Sequence, residues 1–406
     1  MVAPENSLVQ KPGSIKNSVK STTPLRSPII SEDVGLYIHI PFCARRCHFC
    51  AFYLVIQTEK RMKQFVDDLK KEMVLWASKE DFVLRKVSTV YFGGGTPTVL
   101  SASQLGDILN CVKLNWKLDA QAEVTVEATS ESVSFDKLSA LKAYGVTRVS
   151  MGVQTLVPHE RETLGLCSET QPVHDAVQAS KAAGLSNINL DLMYGLPGQT
   201  LSSWDDTVCQ VLEMRPRHLS CYALSIEEGT RFYRQWEQGV LRNCDPEEEA
   251  VFQNSVNDQA QRSGLTRYEI SNWAHPGYAC RHNLKYWQGQ DYLGFGPSAQ
   301  SYVSGVRWGN VPDVLEYSGQ LGNGQIPVSD MEVLDEVRQH KERVIFGLRR
   351  VEGIPTEWVD CLEHEVKWTQ SLAQLLTDNL LSQSGNRYVL TERGRELADT
   401  VGHMLW

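Results

Sequence analysis

Between residue 36 and about residue 225, short apolar runs alternate with longer amphipathic segments, which restricts this region to parallel strands joined by helices. Apolar residues recur at helical spacing in residues 59–77, 103–113, 136–143, 172–183 and 202–213. The strands predicted around them are Leu36–Ile40, Thr89–Phe92, Glu123–Glu127, Arg148–Val153, Asn187–Leu192 and His218–Leu224. Because a closed β/α barrel needs eight units, this number of units predicts an incomplete (β/α)6 barrel of the α/β class. A doubly wound sheet is the alternative.

The segments on either side of this region have different compositions. Residues 1–33 are rich in Ser, Lys, Pro and Thr and predict a disordered tail, although a transit peptide is left open. The partial barrel is assigned to residues 34–226 and a turn-rich, aromatic barrel extension to residues 227–330. Residues 331–406 predict a C-terminal winged-helix-like α+β domain. Its 13 Asp and Glu against 9 Lys and Arg favour a structural or partner-docking role over DNA binding.

The charge balance and the number of cysteines restrict which partners and which cellular location are expected for the chain. With 49 acidic against 40 basic side chains the net charge is −9, and no basic patch is evident, so nucleic acid is not expected as a partner. No apolar run has membrane length, which predicts that the protein is not an integral membrane protein. Ten cysteines in a long chain without a signal segment predict a reducing, cytoplasmic location.

Three of these cysteines are crowded into one short loop after the first predicted strand, with the spacing Cys43-x3-Cys47-x2-Cys50. A structural zinc site is a weak alternative, because it normally takes four ligands and no second pair lies at a suitable distance. Three inert cysteines would prefer apolar surroundings, but this loop also holds Arg45 and Arg46. Three thiolates can hold three irons of a cubane cluster and leave the fourth iron open to another ligand.

This cysteine spacing, preceded by a strand and followed by an aromatic residue, resembles the signature of the radical S-adenosylmethionine (SAM) superfamily. The resemblance implies a [4Fe-4S] cluster held by Cys43, Cys47 and Cys50, with SAM bound to the open iron. In that superfamily, electron transfer from the cluster cleaves SAM to a 5′-deoxyadenosyl radical. The glycine run in "VYFGGGTPT", which by itself predicts a tight turn, resembles the SAM-binding glycine motif.

Polar residues recur at the carboxyl ends of successive predicted strands, the face on which β/α barrels build their sites. A single buried polar residue is more often structural; their repetition favours a binding site. The resemblance implies SAM contacts from Tyr37, Phe49, Gly94, Gly95, Thr96, Glu127, Gln154, Asp191 and Ser225. Two positions depart from the family pattern: Leu166 stands where an arginine is usual, and Thr129-Ser130 stand where relatives have Asn-Pro.

From Gly35 to the C-terminus, the chain resembles the oxygen-independent coproporphyrinogen III oxidase-like family, which contains a true oxidase and a heme chaperone group. The oxidase carries a further cysteine two positions after the third cluster cysteine, where this chain has Phe52. The chaperone group carries His-Asn-x-x-Tyr-Trp, and this chain has His282, Asn283, Tyr286 and Trp287. Both features predict a heme chaperone.

The same motif offers groups that suit heme. The imidazole of His282 can ligate iron, Cys280 is an alternative thiolate ligand, and Tyr286 and Trp287 offer flat faces to a macrocycle. Ordinary packing of aromatic residues against the barrel is the other interpretation.

Three functions remain open from the sequence. A heme chaperone would bind heme and transfer it to an acceptor protein of a respiratory or membrane system. A coproporphyrinogen dehydrogenase-like oxidoreductase in porphyrin biosynthesis would decarboxylate propionates, and Phe52 argues against it. A radical SAM methylase or cyclase is the third, so whether the protein is an enzyme stays open.

Overall fold

The computed structural model describes residues 33–406 apart from Gln57 and Glu363. The predicted disordered tail, residues 1–33, therefore lies outside the described residues except for Asp33, which begins the first strand. The first part of the chain contains β1 (Asp33–Ile40), β2 (Phe42–Cys43), β3 (Val55–Ile56), α1 (Glu59–Ala77), α2 (Glu80–Val83), β4 (Lys86–Gly94), α3 (Ala102–Asn115), β5 (Lys117–Thr129), α4 (Phe135–Tyr144), β6 (Arg148–Gln154), α5 (Pro158–Leu164), α6 (Gln171–Ala182), β7 (Ile188–Tyr194), α7 (Leu201–Glu213) and β8 (His218–Ala223).

Six of these strands form the parallel centre of one sheet, in the order β1-β4-β5-β6-β7-β8. Each predicted strand is present, and the five predicted helical segments between them are α1, α3, α4, α6 and α7. The sheet continues on both sides into other strands and does not close on itself. The prediction of an incomplete barrel of six β/α units is confirmed.

The next part of the chain extends this sheet at both edges. It contains α8 (Arg231–Glu237), α9 (Pro246–Arg262), β9 (Thr266–Glu269), β10 (Asn272–Ala274), α10 (Arg281–Trp287), β11 (Tyr292–Phe295), β12 (Gln300–Val303), β13 (Val306–Asn310), α11 (Val314–Gly322) and β14 (Val328–Val333). Strands β10 and β9 continue the sheet beyond β8, whereas β11 to β14 continue it beyond β1. Strand β14 runs across the predicted domain boundary at residue 330.

The last part of the chain forms a smaller unit with its own three-stranded sheet, in the order β15-β17-β16. It contains α12 (Glu336–Gly347), β15 (Ile354–Pro355), α13 (Glu357–Asp360), α14 (Val366–Thr377), β16 (Leu381–Ser384), β17 (Arg387–Leu390), α15 (Glu392–Glu396) and α16 (Ala398–Leu405). Thr391 caps α15, because its Oγ1 accepts a hydrogen bond from the Gly394 N–H at 3.0 Å. A backbone bridge between Glu269 and Arg350 joins this unit to β9.

Alternation along the central strands separates an apolar face from a polar face. Leu36, Ile38 and Ile40 of β1 are fully buried in one large core, to which α1, α3 and α4 contribute Phe65, Leu105 and Leu138 among others. In a β/α barrel the helices cover the outer face, so the opposite face lines the interior. That inner face carries Tyr37, Thr89, Tyr91, Glu123, Glu127, Arg148, Asp191, His218 and Ser220.

Candidate functional site

The cysteine loop begins at the carboxyl end of β1 and is fixed there by the glycine run at the end of β4. The N–H of Gly95 donates to the carbonyl of Ile40 at 2.8 Å, and the N–H of Thr96 donates to the carbonyl of Phe42 at 2.7 Å. The Sγ of Cys43 lies 3.6 Å from Oγ1 of Thr96. Two segments predicted separately, the cysteine loop and the glycine run, are therefore in direct contact.

The three cysteines of this loop are free, half-buried thiols. Burial raises the pKa of Cys43 and of Cys50, and burial together with the charges of Cys50 and Cys43 raises the pKa of Cys47 to about 12. The three thiols lie within eight positions of one loop. A bound cation favours the thiolate, so binding of metal to these cysteines releases protons.

The donor set fits an iron–sulfur cluster better than a single metal ion. Among the described residues, no group of three or more His, Cys, Asp or Glu side chains converges on one ion. Cysteine ligands of a cubane cluster do not need to converge, because each thiolate binds its own iron at a different corner. Three neighbouring thiols on a partly exposed loop meet that requirement, so Cys43, Cys47 and Cys50 would hold the cluster.

Gly95 leaves no room for a side chain beneath this loop. A Cβ at this position would lie 2.6 Å from the carbonyl oxygen of Phe42 and 3.0 Å from the Sγ of Cys43. We therefore expect Gly95→Ala to displace the cysteine loop and to lower the iron content of the purified protein several-fold. The measurement is iron per chain after anaerobic reconstitution, with thermal unfolding followed in parallel.

Gly319→Ala is the matched control for this prediction, because no atom lies within 4 Å of its added Cβ. It lies within helix α11, where alanine is preferred to glycine by about 1 kcal/mol. Wild-type iron content in Gly95→Ala would show that the loop does not depend on this close approach.

His48 anchors the far side of the loop to two other elements. Its Nδ1 lies 2.8 Å from the carbonyl oxygen of Thr163 at the end of α5, and its Nε2 lies 2.9 Å from Nη1 of Arg231 at the start of α8. Since the carbonyl can only accept, Nδ1 carries the proton and Nε2 accepts from the guanidinium. In addition, the backbone N–H of His48 donates to the carbonyl of Leu164, and the backbone N–H of Phe232 donates to the carbonyl of His48.

Polar side chains above the inner face are held by neighbours on adjacent strands. The hydroxyl of Tyr91 donates to Oε1 of Glu127 at 2.8 Å, and the hydroxyl of Tyr222 donates to Oε1 of Gln154 at 3.1 Å. Gln154 adopts a left-handed backbone conformation (φ +67°), at a register shift between β6 and β7. Such conformations in residues other than glycine persist where the surroundings fix them.

Asp191 completes this polar layer on β7. Asn189 Nδ2 donates to its Oδ1 at 2.7 Å, and the Ser150 hydroxyl donates to its Oδ2 at 3.3 Å. Burial raises the pKa of Asp191, and burial followed by the Glu127 charge raises the pKa of Tyr37 well above its usual value. Acceptor groups at this depth suit the amino and hydroxyl groups of SAM, so the layer fits that cofactor.

The remaining residues predicted to contact SAM lie at the rim. Phe49 and Leu166 pack in one apolar cluster with Leu164, and Ser225 is exposed just beyond the end of β8. Leu166, which replaces the usual arginine, therefore contributes apolar contact to the cluster that holds Phe49. The contacts of Phe49 and Ser225 with SAM stay predictions.

Helix α10, which carries the predicted heme residues, buries one side against the inner face of the barrel and leaves Arg281 exposed. His282 is 1% exposed, and its Nδ1 and Nε2 lie 2.8 Å from Oγ1 of Thr89 and 2.9 Å from the hydroxyl of Tyr286. Its ring stacks on Tyr91 with 5.2 Å between centroids. Trp287 is also buried, with the guanidinium of Arg349 4.9 Å from its ring centroid.

This placement bears on the predicted role of the motif. Burial lowers the pKa of His282 to about 3, so the imidazole is neutral, and it can bind a metal only if the hydrogen bond at the ligating nitrogen is given up. The packing interpretation accounts for the observed contacts of His282, Tyr286 and Trp287. Heme ligation by these residues stays a prediction that requires α10 to move. Cys280, the alternative ligand, is fully buried beside Glu123.

One functional candidate was missed by the sequence reasoning. Arg148, in the interior on β6, is 1% exposed, and its Nε and Nη1 have no hydrogen-bond partner among the described residues. Burial opposes its charge, but the nearby Cys280, Glu123 and Tyr91 together raise the pKa of its guanidinium. The signal available in the sequence was a charged residue at the start of an otherwise buried strand.

The comparisons with known proteins agree with this geometry. Residues 37–209 match the sequence model of the Radical SAM superfamily. The chain is 34% identical to "Heme chaperone HemW" of Mycobacterium tuberculosis over 92% of its own length and 95% of the relative. It is 32% identical to the protein of the same name from Lactococcus lactis, over 92% of this chain and 97% of the relative.

A solved structure shares the fold over nearly the whole chain. Coproporphyrinogen III oxidase (HemN) from Escherichia coli, described as a radical SAM enzyme, superposes with a TM-score of 0.80 over 94% of this chain and 91% of that protein. Its sequence identity is 24%, so this likeness concerns the fold alone.

In the part of the chain that the structure describes, no helix combines the length and apolar character that a bilayer span requires. Because relatives above 30% identity are matched over almost their full length, the chain belongs to the heme chaperone HemW family of the radical SAM superfamily.

Proposed function

We propose that this protein is a heme chaperone, which binds heme and transfers it unchanged to an acceptor protein. The observation that carries the proposal is the likeness to heme chaperones, at 34% identity over 92% of the chain and 95% of one relative. Phe52 adds local support, because it stands where the resemblance places a further cysteine in the oxidase. Its ring is 41% exposed directly after the cysteine loop.

As a radical SAM protein, the chain uses a [4Fe-4S] cluster and SAM as cofactors. The cluster supplies an iron site to which SAM binds and from which an electron can be transferred. We propose Cys43, Cys47 and Cys50 as the protein ligands of the cluster. The SAM contacts would come from the residues of the glycine run, the polar layer and the rim described above.

Leu166 bears on how firmly SAM is held. A guanidinium at this rim position would add a charge-assisted hydrogen bond, worth about 1.5–3 kcal/mol in other proteins. Leu166 instead packs with Phe49 in an apolar cluster. We propose that SAM binding here relies more on apolar contact and on Glu127 and Asp191 than it does in relatives with the arginine.

The acceptor would be a protein of a respiratory or membrane system. We propose a cytoplasmic location, which agrees with ten cysteines that are all free thiols. Nucleic acid is an unsuitable partner, because the chain carries nine more acidic than basic side chains.

Hemin titration of the anaerobically reconstituted protein tests the proposed function. We expect saturable binding near one heme per chain, followed by the Soret band. In the same samples, coproporphyrinogen III with SAM and a reductant should be recovered without vinyl products. A chaperone releases its cargo unaltered, whereas an oxidase converts its substrate.

Conversion of coproporphyrinogen III without stoichiometric heme binding would assign the protein to the oxidase group instead. A coproporphyrinogen III oxidase assayed beside it is the positive control. Product formed by that control shows that the reductant and SAM are competent, so that absence of product with this protein means that it lacks the activity.

A further inference from the structure

A cleft beside the cysteine loop has a composition that the proposed cofactors do not explain. Its volume is about 180 Å³, and it opens to solvent between the loop and the start of α8. The cleft is lined by Arg46, Cys47, His48, Gly229, Arg231 and Arg234. We call it the arginine cleft.

The arginine cleft concentrates positive charge in a chain whose net charge is −9. Three of its six lining residues are arginines, and none of the six is acidic. Arg46 and Arg234 are exposed, and neither forms an ion pair with any side chain that the structure describes. Like charges in one cleft repel each other, so the arrangement is favourable once an anion lies between them.

One arginine of the cleft is fixed by the cysteine loop. Arg231 is held by Nε2 of His48, which is itself fixed through Nδ1 to the carbonyl of Thr163. Arg231 and Arg234 are one helical turn apart on α8, so they lie on the same side of it. The hydroxyl of Thr230 accepts from the N–H of Tyr233 at 3.0 Å and caps that helix.

Its chemistry suits carboxylates. The planar guanidinium presents donors in a fork that matches the two oxygens of a carboxylate. A volume of about 180 Å³ is below the roughly 300–1,000 Å³ of pockets that enclose a drug-sized molecule. The cleft can therefore take carboxylate groups, whereas a macrocycle attached to them would lie outside it.

We propose that the arginine cleft binds the two propionate carboxylates of heme, an inference that rests on the proposed chaperone function. Heme carries both carboxylates on one edge of the macrocycle, and three arginines can pair with two such groups. Cargo held in this way lies beside Cys47 of the cysteine loop. Its location differs from α10, whose His282 has both ring nitrogens hydrogen-bonded in the interior.

A second cleft of similar size does not offer this chemistry. It is lined in part by Asp33, Arg281 and Lys285 and has a volume of about 160 Å³. Lys285 Nζ lies 2.6 Å from Oδ2 of Asp33, so an internal carboxylate already pairs with this cation. This second cleft is therefore not proposed as a heme site.

Hemin and hemin dimethyl ester, in which both propionates are esterified, provide the test. Each is titrated into the reconstituted full-length protein and into the Arg46→Gln/Arg234→Gln variant. We expect hemin to bind the variant roughly a hundredfold more weakly, about tenfold for each arginine, where tenfold corresponds to about 1.4 kcal/mol. The ester should bind the wild-type protein at least as weakly as hemin binds the variant, because the variant keeps Arg231. Arg231 is left intact, because it anchors His48.

Two further variants make the result specific. Arg262→Gln removes an exposed charge at the end of α9 and should leave hemin affinity unchanged. Arg46→Lys/Arg234→Lys keeps the charge but loses the fork and should lie between the wild type and the Gln variant. Iron per chain and thermal unfolding of each variant establish that the cluster and the fold are intact.

The outcomes separate this inference from the proposed function. If wild-type protein binds no hemin, the chaperone proposal fails and the inference fails with it. If wild type binds hemin, while the Gln variant and the ester bind as tightly, the chaperone proposal stands and the arginine cleft is not the propionate site. An acidic partner protein would then be the alternative occupant of the cleft.

Discussion

Cys43→Ala, Cys47→Ala and Cys50→Ala are each expected to abolish the brown chromophore and to reduce bound iron to background. Each substitution removes one of three protein ligands of a cluster whose fourth iron has no protein ligand, and two thiolates are too few to retain it. The measurement is iron and sulfide per chain, with the visible absorption spectrum, after anaerobic reconstitution. This is a complete loss rather than a graded effect.

Cys209→Ala is the matched control for these variants, because Cys209 is an exposed free thiol on α7 within the same barrel. It should retain wild-type iron and sulfide. Four irons per chain in any of the three loop variants would contradict the ligand assignment. Loss of iron in Cys209→Ala would show that reconstitution depends on thiol content rather than on the loop.

His282→Ala is expected to lower the free energy of unfolding by about 2–5 kcal/mol. The substitution leaves the buried hydroxyls of Thr89 and Tyr286 without their imidazole partner, and each such loss costs about 1–3 kcal/mol. It also removes the ring stacked on Tyr91. Chemical denaturation of the folded protein at neutral pH measures this change.

The same variant should lose less stability on acidification. Burial lowers the pKa of His282 to about 3, whereas an unfolded histidine has a pKa of about 6.5. Between these values the unfolded chain binds a proton that the folded chain does not, so this histidine reduces stability progressively as the pH falls. Removing the side chain removes that contribution, and the pH dependence becomes shallower.

His364→Ala is the control for the stability measurement, since His364 is exposed in the smaller C-terminal unit. It should leave the free energy of unfolding nearly unchanged. Wild-type stability of His282→Ala would contradict the packing role. A shifted hemin absorption band in the folded variant would identify His282 as a heme ligand, and an unchanged band would assign it to packing.

Periodicity was sufficient to predict the centre of the fold. All six parallel strands and the five helical segments between them were anticipated, because each strand carries buried apolar residues at alternate positions and each helix buries one apolar stripe. The limits were less accurate: β5 begins at Lys117, six residues before the predicted start at Glu123. Its first residues alternate polar Lys117, Asp119 and Gln121 with Leu118 and two alanines, and most of them are not buried, so they were not recognised as part of the strand.

The cysteine loop was predictable for a different reason, since its three cysteines lie within eight positions of one another. The surroundings of His282 were not predictable. Its partners Thr89 and Tyr91 lie nearly 200 residues away on β4, and the sequence pattern does not show that α10 packs inside the barrel. From sequence alone, a polar and aromatic motif such as His282–Trp287 indicates an exposed binding loop, and only the structure shows that it is largely buried.

The arginine cleft was missed for the same reason. Arg46 lies in the cysteine loop and Arg231 begins α8, so the basic cluster exists only after folding brings the two segments together. The overall excess of acidic residues obscured it further. The spacing of residues along the sequence predicts sites whose residues are close in the chain. It does not predict sites whose residues come from distant segments.

Cys47 and His48 belong at once to the cysteine loop and to the wall of the arginine cleft. Two binding events that share residues are thermodynamically linked, and such linkage is reciprocal. If occupation of the loop by its cluster changes the affinity of the cleft for an anion by some factor, occupation of the cleft changes the affinity of the loop for the cluster by the same factor. If heme is held in the arginine cleft as proposed, Cys47 and His48 would couple occupation of the metal centre to the affinity for heme.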